Sequence, residues 1–485
     1  MRSLLRSLLP AGLAALIMTA GCSKDKDVEP PATLIYFPQT LEVKKLWGEN
    51  VGGGKKQMVQ RLGLGPAVDN GVVFAASDKG EVLATQLDSG RRVWLKKLKL
   101  PLSAGPAAGA GMVVLGSSKG TVVALDGATG RELWRTGLNS ELLSPPAISQ
   151  KIVVIRSVDG RLHGIDAHDG KELWSVEQQV PRLSLRGTAT PIIAKEVAIS
   201  GFDNGKVMAV SLNTGDTVWD AALASPHGRT ELDRLVDVDS AVRTAGENVF
   251  ATGFQGRTAM LAIDSGQVWW AHDMSSYRGL AVDDDNLYVT QSDGIIVALR
   301  QRDGSELWRN QKMKLRRLTT PVLTSTAVVV ADFQGYLHWV DKTTGQLVAR
   351  QRVAKKELIS NPPVAEGDTV VVMTDRGKMS AYRATPGAPV PPGASKVPGV
   401  AKVAKAPKVK KQKGAKGAPA TPPATESTAP PATAPPATAP PAATPPAATP
   451  PAATPPAAEP TTPPAAAPTQ PAAPPAAPAT PPPSP

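Results

Sequence analysis

The sequence predicts an all-β fold built from one repeated unit, and three observations carry that prediction. Short hydrophobic runs are split by Gly80, Gly120, Gly160, Gly205, Gly256, Gly294, Gly335 and Gly377, a period near 40 residues. Ten residues after each of the first seven stands a second glycine: Gly90, Gly130, Gly170, Gly215, Gly266, Gly304 and Gly345. Four residues later comes Trp94, Trp134, Trp174, Trp219, Trp270 or Trp308, with Ala349 in the seventh slot. Helical 3.6-residue periodicity is absent, and leucine-rich repeats are shorter.

The second unit shows the local grammar. VVLGSSKGTVVAL (113–125) is two β-rich runs about a Ser-Lys-Gly turn. DGATG (126–130) is another turn, and RELW (131–134) opens a further strand. Upstream, PPAIS (145–149) and its equivalents supply one more short strand. Four antiparallel strands in this length make one propeller blade. The Trp fills the gap against the neighbouring blade, and its N–H calls for a polar partner.

The eighth unit is incomplete. GDTVVVMTDRGKMSAYR (367–383) supplies three strands. LEVKKLW (41–47) supplies the missing fourth, with Trp47 in the Trp slot. Pairing the N-terminal and C-terminal strands in one blade closes the ring and removes its open edges. The expectation is one eight-bladed β-propeller over residues 41–383.

The flanks read differently. Residues 1–21 have a basic start (Arg2, Arg6), an apolar stretch and small residues at the end, which makes them a secretory signal. Thr19-Ala20-Gly21-Cys22 resembles a bacterial lipobox, although Thr19 departs from the usual Leu. Cys22 is the only cysteine and the candidate lipidation site; the alternative is a plain cleaved signal. Residues 22–40 are polar and Pro-rich, as a tether would be. No later apolar run approaches the ~20 residues that span a bilayer.

Residues 384–485 hold 33 of the 48 prolines and none of the aromatic residues, so they lack material for a core and are expected to be disordered. Lysines crowd 396–416, and Ala/Pro/Thr repeats fill 419–485. A basic segment on an extended spacer could reach cell wall or anionic lipid; the alternative is a solvated extension with no partner. The tail carries about half of the formal net charge of +12, so the foldable part is near neutral and does not read as a nucleic-acid binder.

A single cysteine excludes intrachain disulfides and cysteine-based metal sites, and the five histidines lack metal-ligand spacing. No metal, cofactor or catalytic constellation is predicted. The candidate site is a pair of insertions. The glycine ruler lengthens after Trp174 and after Trp219, and strand alternation puts both extra segments on one face. VPRLSLRGTATP (180–191) carries Leu183, Leu185 and Arg186; SPHGRTELDRLVDVDSAV (225–242) carries Asp237 and Asp239 among other charges. Leu and Arg beside carboxylates suit a protein–protein site, whereas local packing and ion pairing is the structural alternative.

Taken together, the Cys22 anchor, the PPATL and EVKKLW lead-in, the Trp-marked repeats, PRLSLRG and TELDRLVDVD resemble the BamB family, lipoprotein subunits of the bacterial outer-membrane β-barrel assembly machinery, the BAM complex. The resemblance covers residues 1–383. It implies a non-enzymatic scaffold that binds the periplasmic POTRA domains of BamA, works beside other BAM subunits and assists unfolded outer-membrane proteins. It also implies an outer-membrane location, lipid-anchored and facing the periplasm, since Ser23 follows the cysteine. Leu183, Leu185 and Arg186 would be contacts from the first loop, and Asp237 and Asp239 from the second. Two other classes share parts of this pattern. One is a PQQ-type quinoprotein dehydrogenase, whose vicinal disulfide one cysteine cannot supply. The other is a peptidoglycan-binding envelope protein.

Overall fold

The computed structural model describes residues 29–52, 62–185, 187, 189–355 and 357–387. These residues form eight four-stranded antiparallel sheets, each contributing one blade. Blades 1 to 7 begin at Ala67, Leu102, Ala147, Ile192, Arg243, Leu280 and Val322 and follow the chain outward from the ring axis. Blade 8 takes its inner three strands from Val364–Glu366, Thr369–Met373 and Lys378–Pro386. Its outer strand is Leu41–Asn50. The predicted closure is therefore present. Pairing runs from Leu41 opposite Pro386 to Asn50 opposite Lys378, so the last strand continues three residues beyond the expected boundary at Arg383. The long N-terminal strand supplies partners for those extra residues, which is why the strand continues.

The core lies between blades. One buried cluster joins Trp47, Val371 and Met373 of blade 8 to Val73, Leu83 and Leu87 of blade 1. The closing interface is thus packed like the others. Each ruler Trp reaches across such an interface and donates its indole N–H to a backbone carbonyl of the next blade. Trp47 bonds Leu87 at 2.5 Å, Trp94 bonds Gly127 at 2.9 Å and Trp134 bonds Ala167 at 2.8 Å. Trp174, Trp219, Trp270 and Trp308 bond Leu212, Ile263, Gln301 and Lys342 at 2.7–2.8 Å.

The second ruler glycine receives the ring. At Gly130 a Cβ would sit 2.8 Å from the Trp94 ring, and φ is +70°. Only glycine meets both demands without strain. Two residues of sequence grammar, Gly and Trp, are therefore two halves of one interblade contact. Ala349 breaks the pattern for a reason of topology. Blade 8 has no covalent turn between its third and outer strands, because those strands come from opposite ends of the chain. Gly387 stands ten residues after Gly377, but it pairs with Thr40 and lies against Glu42 of the closing strand, so among the described residues no turn glycine receives a Trp from blade 7. Instead Trp339 lies directly opposite Ala349, fully buried, and Leu41 and Val43 of the closing strand pack against the same cluster.

Residues 29–40, expected to be a loose tether, are instead seated on the outside of blade 7. Arg316 donates to the carbonyl of Ala32 at 2.8 Å and Arg350 to that of Ile35 at 2.9 Å. Lys314 pairs with Glu29 at 2.9 Å. Phe37 packs on the apolar cluster shared by blades 6 and 7, under the Arg350 guanidinium at 4.9 Å. Charged donors that meet backbone carbonyls and an aromatic anchor outweigh the segment's polar composition. Cys22 and residues 388–485, with the expectations attached to them, lie outside the described residues.

Candidate partner-docking face

Strands alternate direction within a blade, so every link between blades emerges on the same face as the first ruler turn. The links 178–191 and 223–242 are the ones lengthened against the ruler, and they leave adjacent blades; the link 51–66 from blade 8 to blade 1 is also long. The two lengthened links meet. The backbone N–H of Leu185 donates to the Asp237 carboxylate at 3.1 Å. Gly187 lies so close to Asp239 that a Cβ there would be 2.4 Å from its carboxylate oxygens. A side chain at 187 would push the two links apart.

The five predicted site residues separate into different roles. Leu183 is exposed, at 39%. Leu185 is half-buried, its backbone held by Asp237. Asp239 is half-buried and Arg186 lies outside the described residues. Asp237 is 1% exposed. Its backbone pairs with Phe254 of blade 5, which donates at 2.6 Å and accepts at 3.4 Å. The sequence expectation of a surface acidic contact at 237 therefore gives way to an internal one: its side chain orients the first link.

Beneath the links lies a charge cluster that the sequence reading missed. Arg156, 1% exposed, forms an ion pair with Asp203 at 3.0 Å and stacks on Phe202 at 4.5 Å. Asp203 stands in the turn before Gly205, and nothing local connects it to Arg156, 47 residues earlier. Burial pulls the Arg156 guanidinium below its ordinary pKa, against the pull of Asp203, Asp237, Asp159 and Asp239. Burial, with the neighbouring carboxylates of Asp239 and Asp203, pushes Asp237 up to about 8. Several carboxylates thus act on Arg156, and their mutual repulsion and burial bias Asp237 toward its protonated form.

The second link is surface-active in a different way. Thr230 and Asp233 exchange side chain–backbone hydrogen bonds at 3.1 Å in both directions, which closes a local turn. That turn presents Leu232 to solvent at 68% exposure. Leu232 was not among the predicted site residues; a lone Leu inside the charged TELDRL run was the available signal. Val180 and Leu183 from the first link and Leu232 from the second give this face exposed apolar side chains, rimmed by Arg229, Glu231, Asp233 and Arg234.

A closed propeller in which two lengthened links of adjacent blades meet on one face defines a scaffold class, a rigid ring that carries a binding surface. The family model described as outer membrane protein assembly factor BamB matches residues 78–310. The chain is 45% identical over 371 residues to the BamB of Pseudomonas aeruginosa, across 76% of this chain and 97% of that one. It is 34% identical over 384 residues to the BamB of Escherichia coli K12, across 76% and 97%. The chain belongs to the BamB family of outer membrane protein assembly factors. Among solved structures, BamB from Moraxella catarrhalis superposes with a TM-score of 0.64 at 24% identity, covering 70% of this chain and all of that one. Quinohemoprotein alcohol dehydrogenase from Comamonas testosteroni superposes at 0.56 with 12% identity, covering 70% and 76%. That second likeness is one of fold alone.

Proposed function

We propose that the chain is a lipid-anchored scaffold of the outer-membrane assembly machinery, held at the outer membrane by Cys22 and facing the periplasm. It docks the POTRA domains of BamA through the links 178–191 and 223–242 and so assists insertion of barrel proteins. One observation carries this reading: the Leu185 N–H on the Asp237 carboxylate holds the two links together and leaves Leu183 beside them in solvent. An exposed apolar anchor on a braced backbone is what a binding hot spot needs. Leu183, Leu185 and Arg186 would meet the partner, Asp239 would set orientation, and Asp237 would act by positioning.

The seated N-terminal segment supports the membrane side of the reading. Glu29 lies at the link between blades 6 and 7 through Lys314, on the docking face. Cys22 precedes it by seven residues, so an anchor there stays within about 25 Å of that face. Leu183→Arg tests the docking claim by titration against immobilised POTRA domains. At least tenfold weaker binding, about 1.4 kcal/mol, with an unchanged melting temperature is expected. Unchanged affinity would remove the first link from the interface.

A further inference from the structure

The eight blades offer eight copies of one position on the innermost strand, fixed by pairing to the residue six before the first ruler glycine. Seven copies are apolar: Ala67, Ala107, Ala147, Ile192, Ala281, Val322 and Val364. The eighth, opposite Phe250 in blade 5, is Arg243. These positions surround the ring axis, where a cavity of about 680 Å³ is lined by residues from every blade or the link before it, Arg243 among them.

Arg243 has no carboxylate against it among the described residues. Among the described residues its guanidinium donates from Nη1 to the Val242 carbonyl at 3.1 Å. Burial alone pulls its pKa below the ordinary guanidinium value, with no neighbouring charge opposing. Asp239 and Arg278 also reach the cavity with opposite signs, so the described lining keeps one net positive charge. Arg243 is half-buried on the wall of this open cavity, so it presents a charge to the axis where seven blades present an apolar side chain.

We propose that Arg243 anchors an anion site in the axial cavity. It takes the carboxylate of a ligand whose apolar body lies against the Ala and Val wall. A guanidinium offers a carboxylate two parallel hydrogen bonds, and a cavity with apolar walls and a few charged or polar groups is the usual make-up of a small-ligand site. The inference does not depend on POTRA docking, and Leu183→Arg leaves it untouched.

The test is calorimetric melting of the full-length protein in detergent, titrated with phenylacetate and with neutral phenylacetamide. Phenylacetate at ~100 times its Kd should raise Tm by about 3–5 °C, and the amide should not. Arg243→Val, which installs the residue type of the other blades, should lose that response and melt no lower than wild type. An amide as effective as the acid, or an Arg243→Val protein that still responds, overturns the site. An Arg243→Val protein that melts several degrees lower makes the arginine structural and overturns it too. A tetrapeptide with a free C-terminal carboxylate, run beside its C-terminal amide, separates the sources. A response to the peptide acid alone identifies a chain terminus; a response to phenylacetate alone identifies a small organic acid. Silence from both acids refutes the proposal.

Discussion

Asp332→Asn should unseat residues 29–40 from blade 7 while leaving the ring closed. Asp332 is fully buried, and its Oδ2 accepts from Arg316 Nε at 2.9 Å, Arg316 Nη2 at 2.6 Å and His338 Nε2 at 2.9 Å. Burial alone would raise its pKa; the His338 hydrogen bond and coupling and the Arg316 charge overcome that and hold it at about 2. His338 is itself held below its usual value by burial. It is therefore neutral at pH 7, donating from Nε2 and accepting from Arg350 Nε at Nδ1 at 3.2 Å. The two arginines oriented by this chain are the ones that grip the carbonyls of Ala32 and Ile35. Asn keeps the shape and removes the charge, which leaves Arg316 buried without compensation. Breaking such a pair costs ~3–5 kcal/mol, and at about 2 °C per kcal/mol in a domain this large Tm should fall by roughly 6–10 °C. Hydrogen exchange at 29–40 should rise well before exchange in the blades. Unchanged protection of 29–40 with a Tm fall below ~2 °C would refute the reasoning. Acid gives an independent check. A folded pKa below the unfolded ~3.9 contributes stability above that value, about 2.5 kcal/mol for two units, lost as pH falls from ~4 to ~2. The lowered His338 pKa loses stability in the same direction, starting as pH falls below ~6.5. Asp332→Asn should abolish the lower limb of the wild-type curve.

Three further outcomes follow from the same geometry. Deleting 41–50 removes Trp47 and the outer strand of blade 8, so urea titration should lose the single cooperative transition of the ring; a transition as sharp as wild type would deny closure. Asp237→Asn should stabilise selectively at high pH. A carboxyl raised to about 8 contributes stability in full below ~3.9 and loses it as pH rises through ~8. The variant's Tm should exceed wild type at pH 8.5 and match it near pH 4. Ala349→Trp restores the repeat rule yet should destabilise by ~1–3 kcal/mol, because Trp339 already fills that space; a higher Tm would contradict the topological account of the exception.

Features that recur were legible in the sequence, and features that join distant blades were not. The Trp and Gly positions repeat seven times, so their spacing gives strand order, blade number and the closing strand at Trp47. The two lengthened links were visible as departures from the ruler, and their shared face followed from strand alternation. The burial of Asp237 was not visible. It depends on Phe254, on Leu185 and on Arg156 below, residues with no mutual spacing rule. The same applies to the seat of residues 29–40: Arg316, Asp332, His338 and Arg350 lie on different strands and links of one blade region and meet only when the sheet folds. Composition described the segment as a tether because composition does not register three-dimensional convergence.

The repeat itself explains why function concentrates at its exceptions. Interblade stability rests on the Trp–Gly contact and the apolar clusters, which every blade must preserve. A residue that follows the rule is accounted for by packing. A residue that breaks it costs stability or symmetry and needs another cause. Ala349 breaks it where the chain ends meet. Gly187, Leu183 and Asp237 break it where two links lengthen and brace each other. Arg243 breaks it by placing a charge where seven blades place Ala, Ile or Val. In a symmetric scaffold the deviation from consensus is thus a better guide to binding chemistry than the consensus, because the fold accounts for one and not the other.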